Sequence, residues 1–181
     1  MAGAREIAGR RYALAVMEIA RADGSLDEWQ AALETLAMLT ERRQFVDALQ
    51  ADGVTDEQFA NVVRQAQDGI GTKQLNLFRL LRSKRRMALG ASIASFYHEL
   101  VDEERNVARA TVRTVVELDD ERRASLERRL AEQTGKQVAL EAIVDPSILG
   151  GMTVRIGDRL FDASTRTRLQ NLRRDLERAS R

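Results

Sequence analysis

Over the first hundred positions of the chain, apolar residues recur at intervals of three and four; beyond position 106 they recur at every second position. The first interval is the period of an amphipathic helix and the second that of a strand with one wet face, so the change of period divides the chain into residues 1–105 and 106–181. The first part reads as six helices with short connections, a compact bundle. Residues 4–22 place Ala8, Tyr12, Ala15, Val16 and Ile19 on one stripe, widened by Leu14 and Met17. A surface that wide fits either deep burial within the bundle or a face kept for a partner. Asp23-Gly24 ends this helix, and Ser25-Leu-Asp-Glu28 is a capping box opening the second. There Leu26, Trp29, Leu33 and Leu36 step inward, with Trp29 read as a core anchor rather than a ligand platform. A short helix spans 41–50. Thr55-Asp-Glu-Gln58 is a second capping box, for a helix to Gln67. The fifth helix, 72–83, turns Leu75, Phe78 and Leu81 inward while Leu77 and Leu80 broaden its apolar surface. The sixth carries Leu89, Ile93, Phe96, Tyr97 and Leu100 on one face.

In the second part, Ala108 to Leu118 alternates apolar and polar positions as a strand. Asp119-Asp120-Glu121 is an acidic helix start, and Thr134-Gly135 ends that helix. Val138, Leu140, Ala142 and Val144 form a second strand. Next comes the most tightly specified stretch: the single proline Pro146, the single Gly-Gly pair Gly150-Gly151, and the alternation Met152, Val154, Ile156. Gly157-Asp158 reads as a hairpin turn into Arg159-Leu160-Phe161, and Asp162 as the cap of a last helix over 163–179, with Leu169, Leu172 and Leu176 on one face. The fold is therefore mostly α: a six-helix bundle followed by a small α/β (β-α-β-β-α) domain.

Composition adds limits. With 44% hydrophobic and 31% charged residues in 181, and aromatics at 4%, the chain is globular with an aliphatic core. The net charge of +1 gives no global attraction to nucleic acid or membrane. No run approaches the length of a membrane span, and no signal peptide is seen, since Glu18 interrupts Ala13-Leu-Ala-Val-Met. The absence of cysteine excludes disulfides and thiolate chemistry. His98, the only histidine, has no second ligand beside it and reads as a solvated helix residue. No nucleophile-base pair, metal-binding helix motif or phosphate loop is present. Gly150-Gly151 leads into a strand, whereas a dinucleotide fingerprint opens a helix. Arg82-Ser-Lys-Arg-Arg86 could contact phosphate, as in a nucleic-acid-binding module, or could simply complement the dipole at a helix C-terminus. No catalytic, cofactor-binding or metal-binding residue emerges, which leaves an interaction protein.

The tail stretch Asp145-Pro-Ser-Ile148-Leu-Gly150-Gly151-Met152-Thr-Val154-Arg155-Ile-Gly157, continued by Asp158, Asp162, Ser164, Arg168 and Leu169, resembles the signature of the delta subunit of F-type ATP synthase, counterpart of the mitochondrial oligomycin-sensitivity-conferring protein. Ala8-Gly-Arg-Arg-Tyr12-Ala13-Leu-Ala15 is similar to the family's first helix, with Arg11 where proline is common, and Trp29 and Asn76-Leu-Phe-Arg79-Leu80 match further positions. The resemblance covers essentially the whole chain. It implies a non-catalytic stator subunit without cofactor, on the cytoplasmic face of the cell membrane. Residues 1–105 would bind the N-terminal helix of an alpha subunit between the first and fifth helices, at Tyr12, Ala15, Val16, Ile19, Asn76, Leu77 and Leu80. Residues 106–181 would bind the C-terminal end of the b-subunit stalk.

Overall fold

A computed structural model describes residues 2–51, 53–146, 148, 150–157 and 159–162. The chain folds as two compact units, Met1–Val101 and Asp102–Arg181. The first holds α1 (Ala2–Asp23), α2 (Leu26–Thr40), α3 (Arg43–Leu49), α4 (Asp56–Ala66), α5 (Thr72–Ser83), a 3₁₀ turn at Met87–Leu89 and most of α6 (Gly90–Glu104). One apolar core joins them, with Trp29, Leu33, Phe59, Phe78, Leu81, Ile93 and Tyr97 fully enclosed. The Tyr97 hydroxyl is not orphaned there: it donates to the Leu26 carbonyl at 3.1 Å, tying α6 to the start of α2.

The structure rotates the inward face of α1 away from the expected stripe. Ala13, Val16, Met17 and Ala20 enter the core, whereas Leu14 and Ile19 remain 45% and 41% exposed. Gly9 explains the close packing. A Cβ there would lie 2.2 Å from Ser92 Oγ, so the α1 backbone lies against α6 where no larger residue fits. With small residues facing the core, the larger Tyr12 and Ile19 lie to one side of it. One face of this helix is therefore buried in the bundle, while the adjacent face keeps large apolar side chains in water.

The two capping boxes differ in outcome. Thr55 sits at φ −71°, ψ 162°, its hydroxyl accepts from Gln58 N, and the Gln58 side chain accepts from Thr55 N. Ser25 makes no side-chain cap. Its N–H donates to Ala20 O while Gly24, at φ 65°, donates to Arg21 O, the paired bonds of a Schellman ending to α1. Closing that helix holds Ser25 at ψ 38°, outside the extended conformation a capping residue needs.

The second unit contains β1 (Val107–Thr114), α7 (Asp120–Thr134), β2 (Gln137–Val144), β3 (Met152–Ile156) and β4 (Arg159–Asp162). They form one sheet in the order β2-β1-β3-β4, with β1 and β2 parallel and the other pairs antiparallel. Asp119 caps α7 by accepting from Arg122 N at 2.7 Å, and Gly135 ends it at φ 68°. Ala110, Val112, Leu140 and Val154 share the sheet face that packs with Leu130 of α7. β1 stops at Thr114 rather than near Leu118. Thr114 lies opposite both the last residue of β2 and the first of β3, so no partner strand continues, and its hydroxyl donates to Val116 O in the bend.

The tail signature falls into structural roles. Ile148 N donates to Asp145 O across Pro146, the proline occupying the turn position its fixed φ suits. Asp145 N donates to Thr114 O, and its carboxylate lies 3.5 Å from Arg113. Gly150, Gly151 and Gly157 all have positive φ. The last of these starts the two-residue connection between β3 and β4, and Arg155 donates from Nε to its carbonyl. Asp158 and the helix expected over 163–179 lie outside the described residues. Asp162 itself closes β4 opposite Thr153.

Candidate functional site

Two helices distant in sequence, α1 and α5, bound an open groove of about 490 Å³ on the helical unit. Its lining contains all of Tyr12, Ala15, Val16 and Ile19 from α1 and Asn76, Leu77 and Leu80 from α5, joined by Trp29 and Lys73. The spacing of these residues follows from helix geometry. Tyr12, Ala15, Val16 and Ile19 step by three, one and three, and Lys73, Asn76, Leu77 and Leu80 do the same, so each helix contributes one stripe about two turns long. Val16 and Trp29 form the floor and are buried. Ile19 and Leu80 form the walls and remain 41% and 44% exposed, although both are large aliphatic side chains.

The ends of the groove show how the helices run. Lys73 at the start of α5 lies 2.5 Å from Asp23 at the end of α1. Arg86, just beyond α5, donates to the Tyr12 hydroxyl at 3.1 Å. The helices are therefore antiparallel, with an internally neutralised pair at one end and an arginine at the other. A smaller cavity lined by Ala8, Arg11, Tyr12, Ala15 and Arg86 continues the groove past Tyr12. Apolar walls along two turns suit the apolar stripe of an added helix, and nothing in the lining suits bond-breaking chemistry.

Trp29 and Lys73 were not among the expected lining residues. Lys73 is the position one turn before Asn76 and Leu77, so extending the stripe would have found it. Trp29 comes from a third helix, and its place beneath the groove depends on tertiary packing. Its Nε1 is buried without a hydrogen-bond partner among the described residues.

Elsewhere, the basic cluster divides by role. Arg82 is enclosed rather than displayed. Its guanidinium donates to Asp56 at 2.7 Å, to Leu49 O at 3.0 Å and to Val54 O, and stacks 5.2 Å from the centre of Phe59. It ties α5 to the loop between α3 and α4, which removes one charge from any phosphate-binding surface. Replacing Arg82 with alanine strips two backbone carbonyls of their donor and is expected to cost about 2–3 kcal/mol. A thermal melt followed by circular dichroism should fall by roughly 10–20 °C. Arg82→Lys should recover less than half, since an ammonium cannot span the same three acceptors; full recovery would reduce the role to charge alone. His98 Nε2 lies 3.2 Å from Glu34 on a half-buried helix face. Among the described residues, no group of three acidic, His or Cys side chains could hold a metal ion, and no helix is long and apolar enough to cross a membrane.

Comparison with known proteins gives a consistent result. The model of the family "ATP synthase delta (OSCP) subunit" matches residues 8–176. The "ATP synthase subunit delta" of Chlorobium luteolum is 34% identical over 172 residues, covering 94% of this chain and 95% of the relative. The protein of the same description from Nitrobacter winogradskyi is 33% identical over 174 residues, covering 93% and 92%. Among solved structures, a chain in the cryo-EM structure of the Toxoplasma gondii mitochondrial ATP synthase hexamer superposes with a TM-score of 0.66 at 19% identity, covering 93% of this chain and 96% of that one. At that identity the likeness is one of fold.

Proposed function

Since this chain belongs to the ATP synthase delta (OSCP) subunit family, and so is a non-catalytic component of the peripheral stalk of an F-type ATP synthase, we propose that its groove between α1 and α5 holds the N-terminal helix of an alpha subunit. Residues 1–105 then grip the catalytic head, and residues 106–181 bind the C-terminal end of the b subunits. The subunit sits peripherally on the cytoplasmic face of the membrane, coupling head to membrane sector during proton-driven rotation. The stalk must resist the torque of the rotor, which calls for tight association and no chemistry.

The observation that carries this reading is the groove itself. Two stripes from helices some sixty residues apart converge on one apolar trough whose wall residues, Ile19 and Leu80, keep over two fifths of their surface in water. Solvent-facing aliphatic walls over a packed floor are what a helix anchored at i, i+3, i+4 and i+7 requires of its receptor.

Co-purification tests the reading in the intact assembly. With the full chain tagged, intact alpha subunits should be retained, and alpha lacking its first twenty or so residues should be lost. Removing the C-terminal end of b should release b while alpha stays. Retention of the shortened alpha at undiminished yield would place the head contact elsewhere.

A further inference from the structure

We infer that Arg11 and Arg86 set the direction of the helix that occupies the groove, so that its C-terminal turn, with an acidic side chain on it, lies at the Tyr12 end. The inference rests on the groove being the docking site for the alpha-subunit helix and adds which way round that helix lies.

Charge is distributed unequally along the trough. At the Ile19 end, Lys73 is matched by Asp23 at 2.5 Å. At the Tyr12 end, Arg11 and Arg86 line the cavity that continues the groove, and among the described residues no acidic side chain lines that cavity or the main trough. Both arginines are exposed. The bond that Arg86 makes there is to a neutral partner, the Tyr12 hydroxyl, which holds the guanidinium at the groove mouth while leaving its charge uncompensated. The potential at this end is therefore positive.

A docked helix responds to that difference. Its own dipole puts partial negative charge at its C-terminus and partial positive charge at its N-terminus. Lying with its C-terminal turn at Arg11 and Arg86, it gains attraction at the charged end and loses nothing at the neutral one. The reverse orientation sets its positive end against two arginines. A glutamate in the last turn can also accept from a guanidinium. The occupant then runs antiparallel to α1 and parallel to α5. Because charges at this exposed mouth are screened over about 8 Å at physiological salt, the preference belongs to this end alone.

Three amphipathic peptides with the same apolar stripe test the point by calorimetry against the full chain. One has two glutamates in its last turn, one has them in its first turn, and one has glutamines in both places. The first should bind about three- to tenfold tighter than the glutamine peptide. That advantage should disappear in the Arg11→Gln, Arg86→Gln double variant and at 0.5 M or so of salt. A nitroxide on the C-terminus of the first peptide should broaden the amide signals of Ala8 and Tyr12 and spare those of Asp23 and Lys73. Equal binding of all three peptides, or broadening at Asp23 and Lys73, would overturn the inference while leaving the groove as the docking site. Failure of all three peptides to bind, together with failure of a synthetic alpha N-terminal segment, would overturn the groove reading itself.

Discussion

Ala15→Asp is expected to abolish capture of the alpha N-terminal segment while leaving the fold intact. Ala15 is exposed on α1 and lines both the trough and its continuation, so its methyl group faces the proposed occupant and not the core. On a solvated helix surface the exchange costs at most about 0.7 kcal/mol in helix propensity. Beneath an apolar helix face the same carboxylate must be desolvated. Leaving a charge poorly compensated at a buried contact costs about 3 kcal/mol or more, which is about a hundredfold loss of affinity. Ala15→Trp fills the trough without introducing charge and should lose binding comparably. The pair separates a steric and electrostatic blockade from any peculiarity of aspartate. Helicity and melting temperature should stay close to wild type in both. A collapse of helicity would mean that Ala15 serves the core, and unchanged binding in both variants would exclude this face.

The largest expected effect on stability lies at Gly90, the first residue of α6. A Cβ built there meets Thr40 Oγ1 at 2.2 Å, the Leu36 carbonyl oxygen at 3.0 Å and Leu36 Cγ at 3.1 Å. Thr40 cannot simply swing aside, because its hydroxyl donates to Leu36 O at 2.7 Å in a buried setting. Gly90→Val forces α6 away from the end of α2 and should cost about 3 kcal/mol, the upper part of the usual overpacking range. The melting transition should fall by roughly 12–20 °C. Gly53→Ala supplies the control, since nothing lies within 4 Å of its added Cβ; it should be neutral. Equal melting of the two variants would show that the α2–α6 contact yields more readily than its geometry implies.

Why the chain was readable in places and opaque in others comes down to which side chains speak. Large apolar residues at helical spacing identified the inward faces of α2, α5 and α6, because Leu33, Phe78 and Ile93 have no other stable place. The core face of α1 was harder to see because Gly9, Ala13 and Ala20 carry it, and small residues give little hydrophobic contrast. The bulky Tyr12 and Ile19, which dominate the pattern, mark the groove instead. The groove residues were therefore visible as an excess of apolar surface on α1 and α5, whereas Trp29 beneath them was not, since its position depends on how α2 packs under both. Ser25 shows a different limit. Its sequence fits a capping box, but the Schellman ending of the preceding helix claims its backbone first. Arg82 likewise looks like one of four surface charges until tertiary contacts enclose it. In the second unit, alternation located β1, but its end at Thr114 depends on where β2 and β3 run out.

The most direct measurement is amide chemical-shift mapping of the full chain during titration with a synthetic peptide of the alpha-subunit N-terminus. Saturable shifts concentrated at Tyr12, Ala15 and Ile19 on α1 and at Lys73, Asn76, Leu77 and Leu80 on α5, at micromolar or tighter affinity, are the predicted result. Shifts clustered on the sheet or on α3 and α4 instead, or none at millimolar peptide, would contradict it.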